Sequence, residues 1–181
     1  MNLTNQHIDD CLYEIYTGYG VQFRYPGAWA LSETRQSDEV TIQVESGETS
    51  FWSLTLLFDL PEPADVIEVV SQAFREEYPE LDLYASHDQL NGRPTWGCDI
   101  EFVSFELVNS AFVRCFQADD FTGVVLYQGT DLELETTQPE MDAMTKSLAV
   151  TDDADSEEAH SDRGKLIERG DFAADEPDAR E

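Results

Sequence analysis

Two carboxylates, Asp99 and Glu101, lie two positions apart in a segment that alternates like a β-strand, so both would face the same side of a sheet. A carboxylate pair can act as general acid and base when its surroundings separate the two pKa values. In a chain with 39 Asp and Glu residues, a solvated acidic face explains the same spacing more simply. An alternative hypothesis is therefore that the protein is an enzyme whose carboxylate pair is Asp99 and Glu101.

The other polar candidates form no catalytic or metal-binding pattern. Ser86, His87 and Asp88 have the residue types of a catalytic triad, but adjacent side chains cannot converge on one reaction centre. The three histidines and three cysteines lack the spacing of zinc ligands; they are His7, His87, His160, Cys11, Cys98 and Cys115. The sequence therefore predicts no catalytic residue, no cofactor and no metal, in a protein that is not an enzyme.

Cys98 and Cys115 fall on strands that are expected to pair as a hairpin. They would face each other only if Glu106 and Leu107 formed the turn, and this dipeptide is a poor turn sequence. Buried free thiols are therefore the expected state. An odd number of cysteines without CxxC spacing, and a start without the basic and apolar regions of a signal peptide, predict a cytoplasmic location.

The charge balance excludes several classes of partner. The chain has 39 Asp and Glu against 10 Lys and Arg, a net charge of -29. Such a surface repels nucleic-acid phosphates and anionic lipid headgroups, and no stretch approaches the ~20 apolar residues that span a bilayer. Neither nucleic acid nor membrane insertion is expected. Many acids with few lysines also predict adaptation to high salt, where screening removes the self-repulsion.

Strands are expected to carry most of these residues. Alternating apolar and polar residues predict them over 12–17, 21–25, 39–45, 51–60, 81–85, 96–104, 111–117 and 122–128. Helical spacing also fits part of the first segment, but two strands around a turn at Gly18-Tyr19-Gly20 account for more residues. In segment 51–60 the expected core face consists of Trp52, Leu54, Leu56, Phe58 and Leu60.

Two helices complete the predicted domain. The first lies between Pro63 and Pro79, with an apolar side made by Val66, Ile67, Val70, Ala73, Phe74 and Tyr78. The second is expected to begin at Thr137, which has capping-box spacing to Glu140, and to bury Met141, Met144 and Leu148. From Thr151 onward the composition cannot bury enough apolar surface to offset ordering entropy. We therefore predict one domain over residues 1–150 and a disordered acidic tail over 151–181.

Four apolar or aromatic residues fall in predicted connections, which are normally polar. They are Tyr19, Trp29, Phe105 and Leu107. Exposed apolar groups in loops can mark a binding patch, so these four are the candidate partner contacts. The alternative is that the strands extend further and that these side chains belong to the core.

Three segments in order along the chain resemble PsbP-like domains. The first is Leu12-Tyr13-Glu14-Ile15-Tyr16 followed by Gly20-Val21-Gln22-Phe23-Arg24-Tyr25-Pro26-Gly27-Ala28-Trp29, where Val21 replaces the usual aromatic residue. The others are Leu90-Asn91-Gly92-Arg93-Pro94-Thr95 and Met144-Thr145-Lys146-Ser147-Leu148. The resemblance implies the PsbP-like and Mog-type α/β/α sandwich, an α+β fold whose mainly antiparallel sheet is flanked by helices.

The resemblance also sets the expected function. Such domains look like binding and scaffolding proteins, and one bacterial branch consists of cytoplasmic chaperones for transmembrane segments of secreted effectors. It therefore implies a non-enzymatic protein-binding or chaperone-like module, whose partner is another protein with a basic or apolar segment. A binder of a small apolar ligand between sheet and helix is a further alternative, beside the enzyme.

Overall fold

The computed structural model describes residues 12–151. The predicted tail from residue 152 onward, and the side chains of His7, Cys11 and His160, lie outside these residues. The strands are β1 (Tyr13–Gly18), β2 (Val21–Pro26), β3 (Ala30–Arg35), β4 (Glu39–Glu45), β5 (Phe51–Leu57), β6 (Leu81–Ser86), β7 (Gln89–Leu90), β8 (Arg93–Ser104), β9 (Leu107–Gln117), β10 (Thr122–Thr130) and β11 (Ala149–Val150). The helices are α1 (Pro63–Glu77) and α2 (Asp131–Ser147).

One large antiparallel sheet organises the described residues. Its strands follow the order β3-β4-β5-β10-β9-β8-β6, and the short β7 pairs with the start of β8. A smaller antiparallel sheet has the order β1-β2-β11. The predicted alternation is clearest in β4, which buries Val40, Ile42 and Val44 on one face.

The large sheet carries a hydrophobic core on each face. Trp52, Leu54 and Leu56 of β5 belong to the first core, which the small sheet and α2 cover. The second core lies under α1, and its buried members are Cys98, Ile100, Phe102, Ala111, Val113, Cys115 and Val124. The predicted side of α1 packs there, except that Ala73 is exposed. This α/β/α layering confirms the predicted fold class.

The three segments of the resemblance meet at the end of α2. The backbone N–H of Arg24 in β2 donates to Ser147 Oγ at 2.9 Å. The Asn91 side-chain amide, in the turn before β8, donates to the Leu148 carbonyl. Hydrogen bonds therefore connect the three segments, although they lie far apart along the chain.

The second helix starts earlier than its apolar stripe predicted. Thr130, not Thr137, is the N-cap: its hydroxyl accepts from the Glu133 N–H at 3.3 Å. Glu133 accepts from the Thr130 N–H at 3.1 Å, which completes the capping box. The prediction of a start at Thr137 was wrong because Thr130 and Glu133 have the same spacing, and Pro139 is tolerated inside the helix.

Strand β5 ends before its predicted limit. The chain turns after Leu57, where the Leu60 N–H donates to the Leu57 carbonyl at 3.4 Å and Leu60 has a φ of 56°. Phe58 and Leu60 are exposed, so their assignment to the core face was wrong. Neither helix within residues 12–151 is long and apolar enough to cross a membrane.

Candidate protein-binding surface

The β8–β9 hairpin reverses through only two residues. Ser104 pairs with Leu107, which leaves Phe105 and Glu106 as the complete turn. Their φ angles are 51° and 65°, the left-handed values that a two-residue hairpin turn with primed geometry requires. This conformation costs a residue other than glycine roughly 1 kcal/mol or more.

Two other hairpins have the same positive φ angles but better suited residues. The β1–β2 turn consists of Tyr19 and Gly20, and the β7–β8 turn of Asn91 and Gly92. Glycine adopts positive φ without steric cost, and Asn-Gly is the preferred dipeptide here. The Phe105-Glu106 turn has neither residue, so it stores backbone strain of the kind found at functional sites.

Residues 103–108, which we term the hairpin tip, extend beyond both neighbouring strands. The pairing of β8 with β6 stops at Phe102, and the pairing of β9 with β10 stops at Asn109. Two residues of each strand and one residue of the turn therefore project on each side, a length of about 10 Å. The apolar side chains of the tip are exposed: Phe105 96%, Val103 58%, Leu107 50% and Val108 47%.

An open notch of about 320 Å³ lies where the hairpin tip leaves the start of β6. Leu81, Phe102, Val103 and Val108 form its apolar lining, and Glu80, Asp82 and Glu101 add carboxylates. Within residues 12–151, no basic side chain lies within ion-pair distance of these three acids. We refer to this cavity as the notch.

Two of the notch carboxylates face each other. Asp82 of β6 pairs directly with Glu101 of β8 across the sheet. Like charges opposite each other on antiparallel strands destabilise the pair. The notch therefore concentrates negative charge next to apolar surface, an arrangement that a basic partner group would relieve.

Asp99 and Glu101 do not form an isolated carboxylate pair. Arg114 Nη1 donates to Asp99 Oδ1 at 2.7 Å, and Arg114 Nε lies 3.5 Å from Asp88 Oδ2. Glu101, by contrast, is exposed and lines the notch. The two acids therefore have different neighbours, because Asp99 shares the Arg114 guanidinium with Asp88 and Glu101 does not contact it.

The four candidate contacts fall into two groups. Phe105 and Leu107 lie together on the hairpin tip. Tyr19 and Trp29 are only partly exposed and pack against the first core, and the Tyr19 hydroxyl donates to Glu33 at 2.5 Å. Trp29 precedes β3, which is four strand spacings from β9 in the sheet, about 19 Å. The four residues therefore do not form one continuous patch.

Sequence reasoning did not find the acidic half of the surface. Asp82 and Glu80 stand among many exposed acids, and only the pairing of β6 with β8 brings Asp82 opposite Glu101. No local pattern signals this register, because it depends on strands that lie far apart along the chain.

A second cavity, of about 290 Å³, lies between α2 and the large sheet. Its lining consists of Asp88, Gln89, Leu90, Thr95, Arg114, Tyr127, Asp142, Thr145 and Lys146. The Tyr127 hydroxyl donates to Asp142 Oδ1 at 2.6 Å, and burial, then this carboxylate, raises the pKa of Tyr127 far above its usual value. Most of its lining residues carry polar or charged groups, four of them charged, whereas the sequence suggested an apolar ligand site.

The two cysteines within residues 12–151 are buried free thiols, as predicted. Cys98 pairs with Val113 and Cys115 pairs with Trp96, so the two cysteines are not directly opposite each other in the hairpin. Burial raises the pKa of Cys115 to about 12 and also raises that of Cys98. Both thiols pack inside the second core. The same residues contain no cluster of three His, Cys, Asp or Glu side chains suited to a metal.

Comparison with solved structures identifies the fold. The cyanobacterial PsbP (CyanoP) of Synechocystis sp. PCC 6803 superposes with a TM-score of 0.58 at 13% identity, over 76% of this chain and 92% of that one. A protein from Bacteroides thetaiotaomicron VPI-5482 gives 0.52 at 9% identity, over 77% of this chain and 48% of that one. LpqN of Mycobacterium tuberculosis, involved in cell envelope biogenesis, gives 0.47 at 12% identity, over 82% and 97%.

The class defined by this likeness is therefore the PsbP-like fold. No family model and no curated protein matches the sequence. At 13% identity the likeness to CyanoP establishes the fold, and the function has to be argued from the surface of this chain.

Proposed function

We propose that this protein is a non-enzymatic protein-binding module that holds its partner at the hairpin tip and the notch. The observation that carries the proposal is the almost fully exposed Phe105 at the apex of a strained turn. A side chain of this size normally gains about 1.5–3 kcal/mol by leaving water, which this position forgoes in the unbound protein. Contact with a partner would recover that energy.

The chemistry of the partner follows from the charges around the tip. Glu80, Asp82 and Glu101 lie beside exposed apolar groups and have no basic neighbour within ion-pair distance among the described residues. A protein segment with basic and apolar side chains could pair with these carboxylates and cover the exposed apolar groups. A second copy of this chain would bring another net charge of -29 to the contact and is disfavoured by repulsion.

A site-specific crosslink tests the proposal in the full chain. A photoreactive phenylalanine analogue replaces Phe105, and the matched control places the same analogue at Val69, which is 68% exposed on α1. We expect a discrete protein adduct from position 105 in native cells and none from position 69. Absence of an adduct at 105, or the same adducts at both positions, would contradict the proposal.

Binding of a small molecule is a second candidate function, favoured by the cavity between α2 and the sheet. Its volume of about 290 Å³ suits a small ligand, and Arg114 and Lys146 lie in its wall with Asp88 and Asp142. These charges favour a polar ligand over an apolar one. Native mass spectrometry of the purified chain is the test: a copurified mass that Arg114→Met removes would support this function, and its absence would count against it.

A further inference from the structure

Strand β6 ends the large sheet, and its outer edge faces no other strand within residues 12–151. Alternate residues of an edge strand direct backbone N–H and C=O groups away from the sheet, where another strand can bind them. Natural edges are commonly blocked by charged side chains, especially lysine, or by proline or a bulge. Leu81–Ser86 contains neither lysine nor proline, and its one charged residue is Asp82. Among residues 12–151 this edge is therefore unpaired.

The two faces of β6 differ in chemistry. Leu81 and Leu83 pack into the second core beside α1. Asp82 and Tyr84 point to the opposite face, next to Glu101 and Asp99 of β8, and Tyr84 is 54% exposed. A strand added beside β6 would therefore meet leucines on one face and carboxylates with an aromatic ring on the other.

We propose that the partner segment binds as an extended strand added to β6, with alternating basic and apolar side chains. The basic residues would lie over Asp82 and Tyr84, where carboxylate pairing and a cation–π contact are both available. The apolar residues would lie beside Leu81 and Leu83. Backbone hydrogen bonds supply affinity in this mode, and alternate side chains supply specificity. This inference rests on the proposed function and names the class of segment that the module takes.

The position of the hairpin tip fits the same geometry. Leu81 pairs with Phe102, so the tip projects beyond the first residue of β6. A segment longer than β6 that continues past Leu81 would enter the notch and reach Val103 and Val108. One extended segment can therefore contact the edge, the notch carboxylates and the exposed tip.

Synthetic peptides test the backbone mode directly. The probe is an octapeptide of alternating lysine and valine with capped termini, titrated calorimetrically into the full chain. Three control peptides are used. The first has its lysines and valines in two separate blocks, the second has glutamate in place of lysine, and the third has every second backbone amide N-methylated. We expect the alternating peptide to bind and each control peptide to bind with an affinity lower by about tenfold or more. A methylated amide cannot donate a hydrogen bond, and a reversed charge is repelled by the carboxylates. If the peptide with its lysines and valines in two separate blocks binds with the same affinity, the inference is overturned, because charge attraction alone would explain the binding.

Amide hydrogen exchange locates the bound peptide. We expect slower exchange at alternate amides of Leu81–Ser86 and no change in β3, the opposite edge of the sheet. Protection in β3, or none in β6, would overturn the inference. A dimer detected by light scattering, with β6 already protected from exchange before peptide is added, would overturn the inference as well.

A charge reversal links the edge to the native partner. Asp82→Lys places a basic gatekeeper on β6, and Ser32→Lys does the same on the exposed β3. We expect Asp82→Lys to weaken peptide binding about tenfold or more and to reduce the adduct at position 105, with Ser32→Lys unchanged. If the adduct at 105 forms and Asp82→Lys does not reduce it, the edge-strand mode is wrong and the binding function stands. If the wild-type chain gives no adduct at 105, the proposed function itself fails.

Discussion

Ser104 and Leu107 are directly paired at the end of the β8–β9 hairpin, so Phe105 and Glu106 reverse the chain alone. The chain contains the preferred dipeptide for this turn at Asn91-Gly92, where φ angles of 49° and 82° give the same geometry. Among the hairpin turns of residues 12–151, the unfavourable pair thus includes an apolar residue that is almost fully exposed. The proposed binding function rests on this coincidence of strain and exposure.

The first prediction concerns the strained turn. Replacing Phe105 by Asn and Glu106 by Gly should increase the free energy of unfolding by about 1–2 kcal/mol, because both residues then suit positive φ. Urea unfolding measures the change. The same variant should lose the partner contact made through Phe105, so a gain in stability would accompany a loss of binding. Lower stability would show that the turn is not strained.

The second prediction concerns the like-charge pair. Glu101→Gln should stabilise the protein by about 0.2–1 kcal/mol, because it removes the repulsion with Asp82 across the sheet. Glu48→Gln, in the exposed loop between β4 and β5, is the matched control and should change the stability less. Thermal unfolding at low ionic strength gives the comparison. An equal effect of both variants would assign the gain to net charge alone.

The third prediction concerns Glu133. Burial opposes ionisation of this carboxylate, but hydrogen bonds from the Thr49 hydroxyl and amide and from Thr130 lower its pKa to about 2. Glu133→Ala should cost about 1 kcal/mol at neutral pH, since it removes the capping box. Because the folded pKa lies below the ordinary value of 4.5, the contribution is complete above pH 4.5 and is lost as the pH falls towards 2.

Urea unfolding of the wild type and of Glu133→Ala at several pH values measures that contribution. The difference between the two proteins should shrink as the pH falls through the window below 4.5. A difference that is constant with pH would show that the Glu133 carboxylate does not stabilise the fold through its charge.

The fourth prediction concerns the buried thiols. In a Cys11→Ser background, Cys98 and Cys115 should not react with a thiol reagent at neutral pH until the protein unfolds, because both are buried and have raised pKa values. The reaction is followed by absorbance in buffer and in denaturant. Rapid modification in buffer would contradict this packing.

The fifth prediction concerns salt. With a net charge of -29 and, among residues 12–151, ion pairs made by Arg114 alone, repulsion should dominate the surface electrostatics. The melting temperature should therefore rise from low to molar potassium chloride as the charges are screened. Sucrose of equal osmolality is the control for solvent exclusion. Equal melting temperatures in low and molar salt would reject adaptation to high salt.

Patterns with a strict period were readable from the sequence. The alternation in Glu39–Glu45 correctly predicted β4 and both of its limits. The prolines on either side of α1 predicted that helix. Strand β3 was not predicted, because Ala30–Arg35 lies at a sheet edge, is mostly exposed and has no apolar alternation to detect. Local patterns therefore predicted the longer elements that bury a face and missed β3, which does not, together with the two-residue strands β7 and β11.

The candidate site was predicted only in part. Apolar residues in a connection pointed to Phe105 and Leu107, but the same residue types were also consistent with longer, buried strands. The exposure of the tip depends on where its pairing with the neighbouring strands ends, at Leu81 of β6 and Thr130 of β10. Those limits, like the opposition of Asp82 and Glu101, arise from pairing between distant segments and leave no local trace in the sequence.

The small sheet joins the two ends of the described chain. β2 lies between β1 and β11, and the Thr151 N–H donates to the Gly20 carbonyl at 2.8 Å. During synthesis, β1 and β2 can pair early, but this sheet and the cover that α2 provides must wait until residue 150 has left the ribosome. Until then the face of the large sheet that bears Trp52 lacks the cover of α2 and β11. We therefore expect the apolar face around Trp52 to be prone to aggregation until the last elements of the domain are made.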